Sequence, residues 1–204
     1  MSHVDVLEAG QMYHIFNRGN NREKLFYSER HYKYFLKLYS YYILPIADTY
    51  AYCLMGNHFH LLVRIKKIED IVTIKRLVKA QNPSTFSPSK NFSNLFNAYT
   101  KAINLERNRT GSLFEKSFKR KLITADAYLQ QLIIYIHTNP QKHGFVENFR
   151  EWDWSSYHAI SEGVVTKLQR EEVLAWFGGV NEFISCHLEK MDESKLSNLI
   201  DEEY

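Results

Sequence analysis

The 204-residue sequence predicts an α+β fold, an antiparallel sheet with helices packed on one face and a helical segment at the C-terminus. Two observations lead to this prediction. Stretches with the apolar pattern of strands alternate with stretches whose apolar residues recur every three or four positions, as they do in helices. Their order is strand, helix, two strands, two helices, strand and helix, which is typical of a split β-α-β arrangement.

The first strand is predicted over residues 12–17, where MYHIFN precedes the turn-forming residues Arg18-Gly-Asn-Asn. A helix follows over residues 28–44, with Ser28 as its N-cap and Pro45 at its end. Tyr32, Phe35, Leu36 and Tyr39 supply its apolar stripe.

The middle of the chain is predicted to form a hairpin. Strands over residues 46–55 and 58–66 are separated by Gly56-Asn57, a two-residue turn in the reverse of the favoured Asn-Gly order. Helices follow over residues 70–81 and 94–107, with a Ser-, Pro- and Lys-containing loop over residues 84–91 between them.

A fourth strand over residues 118–124 and a helix over residues 125–138, ending at Asn139-Pro140, complete the predicted fold. The remainder contains two short amphipathic helices. We therefore predict a main domain over residues 1–145 and a C-terminal helical appendage over residues 146–204.

The charge of the chain is small but unevenly distributed. The net charge is +3, yet seven basic residues against two acids give residues 101–121 a charge of +5, and residues 182–204 carry −5. A local basic segment is the pattern that a nucleic-acid partner requires. Aromatic residues make up 15% of the chain, and such residues fill cores or stack on unpaired bases.

Several classes of protein are disfavoured by composition. No apolar run approaches the roughly 18 residues of a membrane span, and the N-terminus lacks the pattern of a signal peptide. Cys53 and Cys186 stand far apart, so neither a disulfide framework nor a thiolate zinc site is expected. We expect a cytoplasmic protein without a membrane partner.

A pair of histidines is the first candidate site. In GNHFHLLV, His58 and His60 are separated by one residue of a strand, so both side chains point to the same face. Two imidazoles at this spacing can bind one divalent cation. A chance His-x-His is also common, and two core histidines with polar partners would give the same pattern.

A tyrosine on the last predicted helix is the second candidate. Tyr135 and Asn139 are one helical turn apart and lie off the apolar stripe of Leu129, Leu132, Ile133 and Ile136. An amide oxygen could complete a two-histidine site for Mg²⁺ or Mn²⁺. The alternatives are that Tyr135 is a boundary aromatic, that Asn139 is a helix C-cap, and that His137 or His143 is the third ligand.

These motifs together resemble one family. GNHFHLLV is similar to the His-hydrophobic-His motif of single-tyrosine HUH transposases, and YIHTNP is similar to their catalytic helix. GSLFEKSFKRKLI, WSSYHAI and VLAWFGG resemble the branch of REP-associated tyrosine transposases. The resemblance runs from about Tyr13 to Phe183 and keeps the order and spacing of the motifs.

The resemblance implies a ferredoxin-like sheet, with His58, His60 and Asn139 as ligands of Mg²⁺ or Mn²⁺ and Tyr135 as the nucleophile. It implies a DNA transposase or endonuclease that nicks and rejoins single-stranded or hairpin DNA through a 5′-phosphotyrosine. The basic residues expected to bind the DNA backbone are Lys116, Lys119, Arg120 and Lys121. Members of the family are monomers or homodimers, and both states stay open.

Two other functions fit the same residues. In a hydrolytic metallonuclease, water would attack the phosphate and Tyr135 would be structural. A non-catalytic nucleic-acid-binding protein would keep the fold without the chemistry, although all four proposed active residues are present. Zinc is disfavoured, because the proposed ligands include no thiolate.

Overall fold

A computed structural model describes residues 6–72, 87–115, 117–124 and 128–189. The strands are β1 (Met12–Arg18), β2 (Ala47–Leu54), β3 (His58–Ile65) and β4 (Lys119–Ile123). The helices are α1 (Glu29–Tyr42), α2 (Ile68–Val72), α3 (Pro88–Glu106), α4 (Leu129–Lys142), α5 (Tyr157–Ser161), α6 (Arg170–Phe177) and α7 (Val180–Leu188). Asn20–Arg22 and Phe149–Glu151 form short 3-10 helices.

The four strands form one sheet in the order β2-β3-β1-β4, and all neighbouring strands are antiparallel. This confirms the predicted α+β, ferredoxin-like sheet, in which β1 and β3 occupy the centre. β1 is paired with β3 over its whole length, from Met12 opposite Arg64 to Arg18 opposite His58. Because opposite residues point to the same face, this register decides which side chains meet there.

The first face of the sheet is covered by α1 and α3. Tyr13 and Ile15 of β1 and Phe59, Leu61 and Val63 of β3 belong to this core. Phe35, Tyr39, Phe92, Leu95, Phe96 and Tyr99 contribute from the two helices. The buried aromatic residues of α1 confirm the apolar stripe predicted from the three- and four-residue spacing.

The second face of the sheet is covered by α4 and the C-terminal helices. Leu132, Ile133 and Ile136 of α4 share a core with Ala51 and Leu62 of the sheet. The prediction of helices on one face only was therefore wrong. The physical reason for the difference is that α4 and the helices after it carry enough apolar surface to cover the second face, which a split β-α-β unit leaves open.

Two helix boundaries differ from the prediction. α3 begins at Pro88, inside the segment predicted as a loop, because proline is accepted at the first position of a helix, where its missing N–H is not needed. α4 continues through Pro140 to Lys142, although the Asn139-Pro140 pair was expected to end it. Donation from the N–H of His143 to the carbonyl of Asn139 keeps this last turn helical.

The other predicted elements are found within one or two residues of their expected limits where the structure describes them. The helix predicted over residues 70–81 begins at Ile68, and its remainder lies outside the described residues. Residues 84–86 of the predicted loop and 125–127 of the predicted last helix also lie outside them.

The C-terminal segment is anchored to the sheet. Its described part, up to residue 189, contains three helices, α5 to α7, where two were predicted for the segment. Glu172 of α6 forms an ion pair with Arg64 of β3 at 2.9 Å and accepts a hydrogen bond from Tyr50, and Trp176 stacks on Tyr50. The described part of this segment therefore shares its core with β2, β3 and α4.

A buried polar chain joins α4 to the helices around it. The Nδ1–H of His187 donates to the carbonyl of Phe183 at 2.7 Å, so its Nε2 accepts from Nδ1 of His137 at 2.9 Å. Nε2 of His137 in turn accepts from the hydroxyl of Ser156 at 2.7 Å. Both histidines are buried and neutral in this arrangement, and burial holds the pKa of His137 well below its usual value.

We expect His187 to make the stability of the protein depend on pH. Burial lowers its pKa to about 4, from an ordinary value near 6.5. Because the unfolded chain then binds the proton first as the pH falls, stability is complete above about pH 6.5 and is lost between about pH 6.5 and 4. The loss amounts to at most about 3 kcal/mol for this group.

The test is urea unfolding of the wild type and of His187→Gln across that pH range. Glutamine keeps an acceptor for His137 but does not titrate, so the free energy of unfolding of the variant should fall less steeply as the pH decreases. Equal slopes for the two proteins would contradict the assignment.

Candidate active site

The turn between β2 and β3 sets the position of the histidine pair. Both turn carbonyls accept hydrogen bonds from the segment that follows β1: Gly56 accepts from the N–H of Leu25 at 2.8 Å, and Asn57 from that of Gly19 at 2.8 Å. The N–H of Met55 closes the turn on the carbonyl of His58. The start of β3 is thereby fixed relative to the end of β1.

His58 lies at the open end of the pair. Its Nδ1–H donates to the side-chain oxygen of Asn57 at 2.7 Å, which leaves the lone pair on Nε2. That nitrogen is buried and has no hydrogen-bond partner among the described residues. Burial, reinforced by the neighbouring ring of His60, lowers the pKa of His58 to about 2, so the ring is neutral at physiological pH.

His60 is fully enclosed and contacts a second histidine. Its Nδ1 lies 3.0 Å from Nε2 of His14, which is buried on the neighbouring strand β1. When His60 donates in this bond, its own Nε2 carries a lone pair that can bind a metal, and His14 fixes the ring orientation. Burial lowers the pKa of His60 to about 3.

Helix α4 brings the candidate tyrosine to the same place. The ring of Tyr135 is 1% exposed and meets that of His60 edge-on, with 5.7 Å between ring centroids. About two helical turns after Tyr135, the ring of His143 meets that of His58, with 4.8 Å between ring centroids. Asn139 lies on the same helix face between Tyr135 and His143, so it faces the histidine pair.

Asn139 has the environment expected of a ligand. Its side chain is fully buried, and neither the amide oxygen nor the amide nitrogen has a hydrogen-bond partner in the described part of the chain. A buried amide without partners costs roughly 1–3 kcal/mol, so such a group in a folded protein needs an explanation. Since Asn139 lies inside α4 and not at its end, a capping role does not supply one.

The donor set determines which metal the site could hold. Across residues 6–72, 87–115, 117–124 and 128–189, no three His, Cys, Asp or Glu side chains are grouped for metal binding. The buried amide of Asn139 is a donor of another type beside His58 and His60. Two imidazoles and an oxygen suit a divalent cation without requiring thiolate.

A cavity of about 250 Å³ opens beside the pair. His58 and His60 line it, together with Phe16, Asn17, Arg18, Arg22, Asn57, Glu115, Lys119, His143 and Phe145. The cations Arg18, Arg22 and Lys119 outnumber the single carboxylate of this lining, Glu115, which pairs with Arg18 at 2.5 Å. The resulting positive charge favours a phosphate near the histidines.

The basic strand β4 is divided between the two faces of the sheet. Lys119 lies opposite Phe16 and Lys121 opposite His14, so both point to the histidine side. Arg120 lies opposite Ile15 and bonds to the hydroxyl of Ser89 in α3 at 2.5 Å, on the other face. The structure therefore separates Arg120 from the other predicted DNA-binding residues, and Lys116 lies outside the described residues.

The alternative ligand His137 is placed away from the site. His137 points to Ser156 and His187, on the side of α4 that faces the C-terminal helices. Tyr128 precedes α4 and is 42% exposed. His14 is the residue that sequence reasoning missed: its position on a strand was predicted, but only the β1–β3 register shows that it meets His60.

The fold of this chain is shared by a protein of solved structure. A solved structure of a REP-associated tyrosine transposase bound to a REP hairpin matches it with a TM-score of 0.58 at 15% sequence identity. The match covers 82% of this chain and 89% of that one. At this identity the likeness shows a shared fold.

A curated relative gives the more specific comparison. A protein of Haemophilus influenzae named "Putative REP-associated tyrosine transposase" is 31% identical over 111 residues, which are 54% of this chain and 59% of the relative. The chain thus matches about three-fifths of the relative's length. No protein-family model matches the sequence. The resemblance to REP-associated tyrosine transposases that the motifs indicated is confirmed by these two similarities.

No helix in the described part of the chain is both long enough and apolar enough to cross a membrane. The expected cytoplasmic location, the division at residue 145 and the choice between monomer and homodimer stay predictions.

Proposed function

We propose that this protein is a single-strand DNA nicking and strand-transfer enzyme in which Tyr135 forms a covalent bond to DNA. One arrangement carries the proposal. The ring centroids of Tyr135 and His60 are 5.7 Å apart. One helical turn after Tyr135, the buried amide of Asn139 has no hydrogen-bond partner among the described residues. A nucleophile and three neutral donor groups are thereby gathered on one side of the sheet.

We further propose that His58, His60 and Asn139 hold Mg²⁺ or Mn²⁺. The support is the chemistry of the donors: both imidazoles are neutral because burial lowers their pKa, and the amide atoms of Asn139 have no other partner in the part of the chain that the structure describes. Bound there, the cation would polarise the scissile phosphate and offset its charge.

The reaction at Tyr135 is a transesterification. The phenol oxygen attacks phosphorus in line, a bond from that oxygen to phosphorus forms, and the bond from phosphorus to the 3′ oxygen breaks. The phenol loses its proton, and the departing 3′ oxygen gains one from solvent. The 5′ phosphate remains on Tyr135, and attack by a 3′ hydroxyl reverses the step without an external energy source.

One observation favours a second candidate, a hydrolytic nuclease. Tyr135 is 1% exposed and does not line the cavity beside His58 and His60. A phosphate and a water molecule in that cavity could react without contact with the phenol. The two functions differ in their product, because only the first leaves DNA attached to protein.

The proposed substrate is hairpin DNA with a single-stranded flank. The solved protein of the same fold is bound to a REP hairpin, which supports a hairpin for this chain as well. In-line attack needs a phosphate that is free to turn toward the nucleophile, and a continuous duplex restricts that movement. Monomeric or dimeric action and a cytoplasmic setting belong to the same proposal.

We predict that Tyr135→Phe abolishes covalent attachment. The wild type, incubated with end-labelled hairpin DNA and Mn²⁺, should give a protein–DNA band on denaturing electrophoresis, and the variant should give none while still binding the DNA. Tyr128→Phe is the matched control and should form the adduct at the wild-type rate. An adduct in Tyr135→Phe, or cleavage of plain duplex without any adduct in the wild type, would contradict the proposal, and the latter result would favour the nuclease.

We predict that the metal depends on the three donors to different degrees. His58→Ala or His60→Ala should abolish Mn²⁺ binding in titration calorimetry, and Asn139→Ala should weaken it less, because an amide is a weaker donor than an imidazole. His158→Ala is the control, since that histidine bonds to Glu162 and to the carbonyl of Arg150 and does not line the cavity. Unchanged binding in both His58→Ala and His60→Ala would make the pair structural.

We predict that only the histidine side of β4 contacts DNA. Each phosphate of a single strand that a lysine neutralises adds about 0.7 to the log–log salt slope of binding, so Lys119→Ala with Lys121→Ala should flatten the slope by about 1.4. Arg120→Gln should leave the slope unchanged, because Arg120 faces α3. The measurement is fluorescence polarisation across a salt series, and an effect of Arg120→Gln equal to that of the lysines would place the DNA elsewhere.

A further inference from the structure

The cavity beside His58 has an exposed aromatic wall. Phe145 follows α4, lines the cavity and is 38% exposed, although it is a large apolar residue. A single exposed apolar side chain is ordinary by itself. This one lies in the same cavity as the candidate metal ligands and two basic residues, Arg22 and Lys119.

Phe145 is held firmly in that place. Its N–H donates to the carbonyl of Pro140 at 2.8 Å, across Gly144, whose φ of +69° favours glycine. On one side its ring packs on Trp152, at 5.6 Å between centroids. Trp152 is itself tied to the hairpin, because its indole N–H donates to the carbonyl of Leu54 at 2.9 Å.

The β2–β3 turn supports the ring from a second direction. A Cβ added at Gly56 would lie only 3.0 Å from Cε1 of Phe145. The ring therefore packs so closely on this turn that a side chain at position 56 would push against it. The ring centroid lies 6.2 Å from that of His58. Phe145 thus presents an aromatic surface, packed on Trp152, beside the proposed scissile phosphate.

We propose that Phe145 is a stacking platform for an unpaired base next to the scissile phosphate. This inference rests on the proposed function, because that function places the phosphate at His58 and His60. Aromatic rings combined with basic residues bind single strands, and a base stacks on any aromatic face without regard to its identity. The platform would orient the strand, and Arg22 and Lys119 would attract its backbone.

The polar neighbours of the ring indicate what kind of ligand fits. Asn17 and Asn57 also line the cavity, but their side-chain oxygens already accept hydrogen bonds, from the N–H of Arg18 at 2.9 Å and from His58 at 2.7 Å. These two side-chain oxygens are therefore already bonded within the protein. The contact that we assign to an unpaired base is stacking on Phe145, which does not depend on the identity of the base.

The experiment compares Phe145→Leu and Phe145→Tyr, each combined with Tyr135→Phe so that binding is measured without cleavage. Leucine retains the apolar contact with Trp152 and removes the ring, whereas tyrosine retains the ring. The probes are mixed-sequence DNA hairpins with a single-stranded flank, either intact or abasic at one flank position at a time. Tyr41→Ala, which removes an exposed tyrosine of α1, is the control.

For intact hairpins, Phe145→Leu should raise the Kd by about 5- to 150-fold, and Phe145→Tyr should keep the Kd of the Tyr135→Phe parent. The difference in Kd between Phe145→Leu and its parent should vanish for the probe that is abasic at the stacked position, because that probe lacks the base that would contact the ring. An unchanged Kd in Phe145→Leu, or an equal loss with every abasic probe, would overturn the inference. Failure of the proposed function appears separately, as a wild type that forms no covalent adduct with the same hairpins.

Discussion

The burial of α4 between the sheet and the C-terminal helices is the constraint on which the candidate site depends. One side of this helix presents Leu132, Ile133 and Ile136 to the core of the second sheet face. Another presents His137 to Ser156 and His187. With these two sides fixed, the remaining side, which carries Tyr135 and Asn139, has a single orientation and faces the histidine strand.

The same constraint makes the C-terminal segment part of the site. Because α7 holds His187 against α4, and α6 is tied to β3 through Glu172 and Arg64, the helices after residue 155 help to determine where Tyr135 lies. A substitution in these helices would therefore be expected to affect the proposed catalysis without contacting DNA. The same contacts support both the stability of the fold and the position of Tyr135, the proposed nucleophile.

Local pattern was sufficient for much of this arrangement. The spacing of His58 and His60 on a strand, the apolar stripe of α4 and the limits of the four strands follow from periodicity, which is a property of neighbouring residues. The contact between His14 and His60 does not, because it depends on which strands pair and in which register. The placement of Arg120 on the far face has the same origin. Alternation along β4 predicts that Arg120 points away from Lys119 and Lys121, but it does not predict which of the two faces carries the histidines.

The course of α4 beyond Asn139 shows a different limit. Proline after asparagine normally indicates the end of a helix, and here the surrounding packing overrides that local preference. Pro140 is buried, and the helix gains one more turn that brings His143 to His58. The local signal was clear, but the burial of Asn139 and Pro140 outweighed it.

The enclosure of Tyr135 has a consequence for the lifetime of the proposed phosphotyrosine. The phenol is 1% exposed, with the ammonium of Lys142 5.4 Å from the centre of its ring. A phosphotyrosine formed in such a space would be reached by bulk water only when the strand or the helix end moves aside. Spontaneous hydrolysis would then be slow compared with attack by a bound 3′ hydroxyl, and the broken strand would be kept for rejoining during a long-lived covalent state.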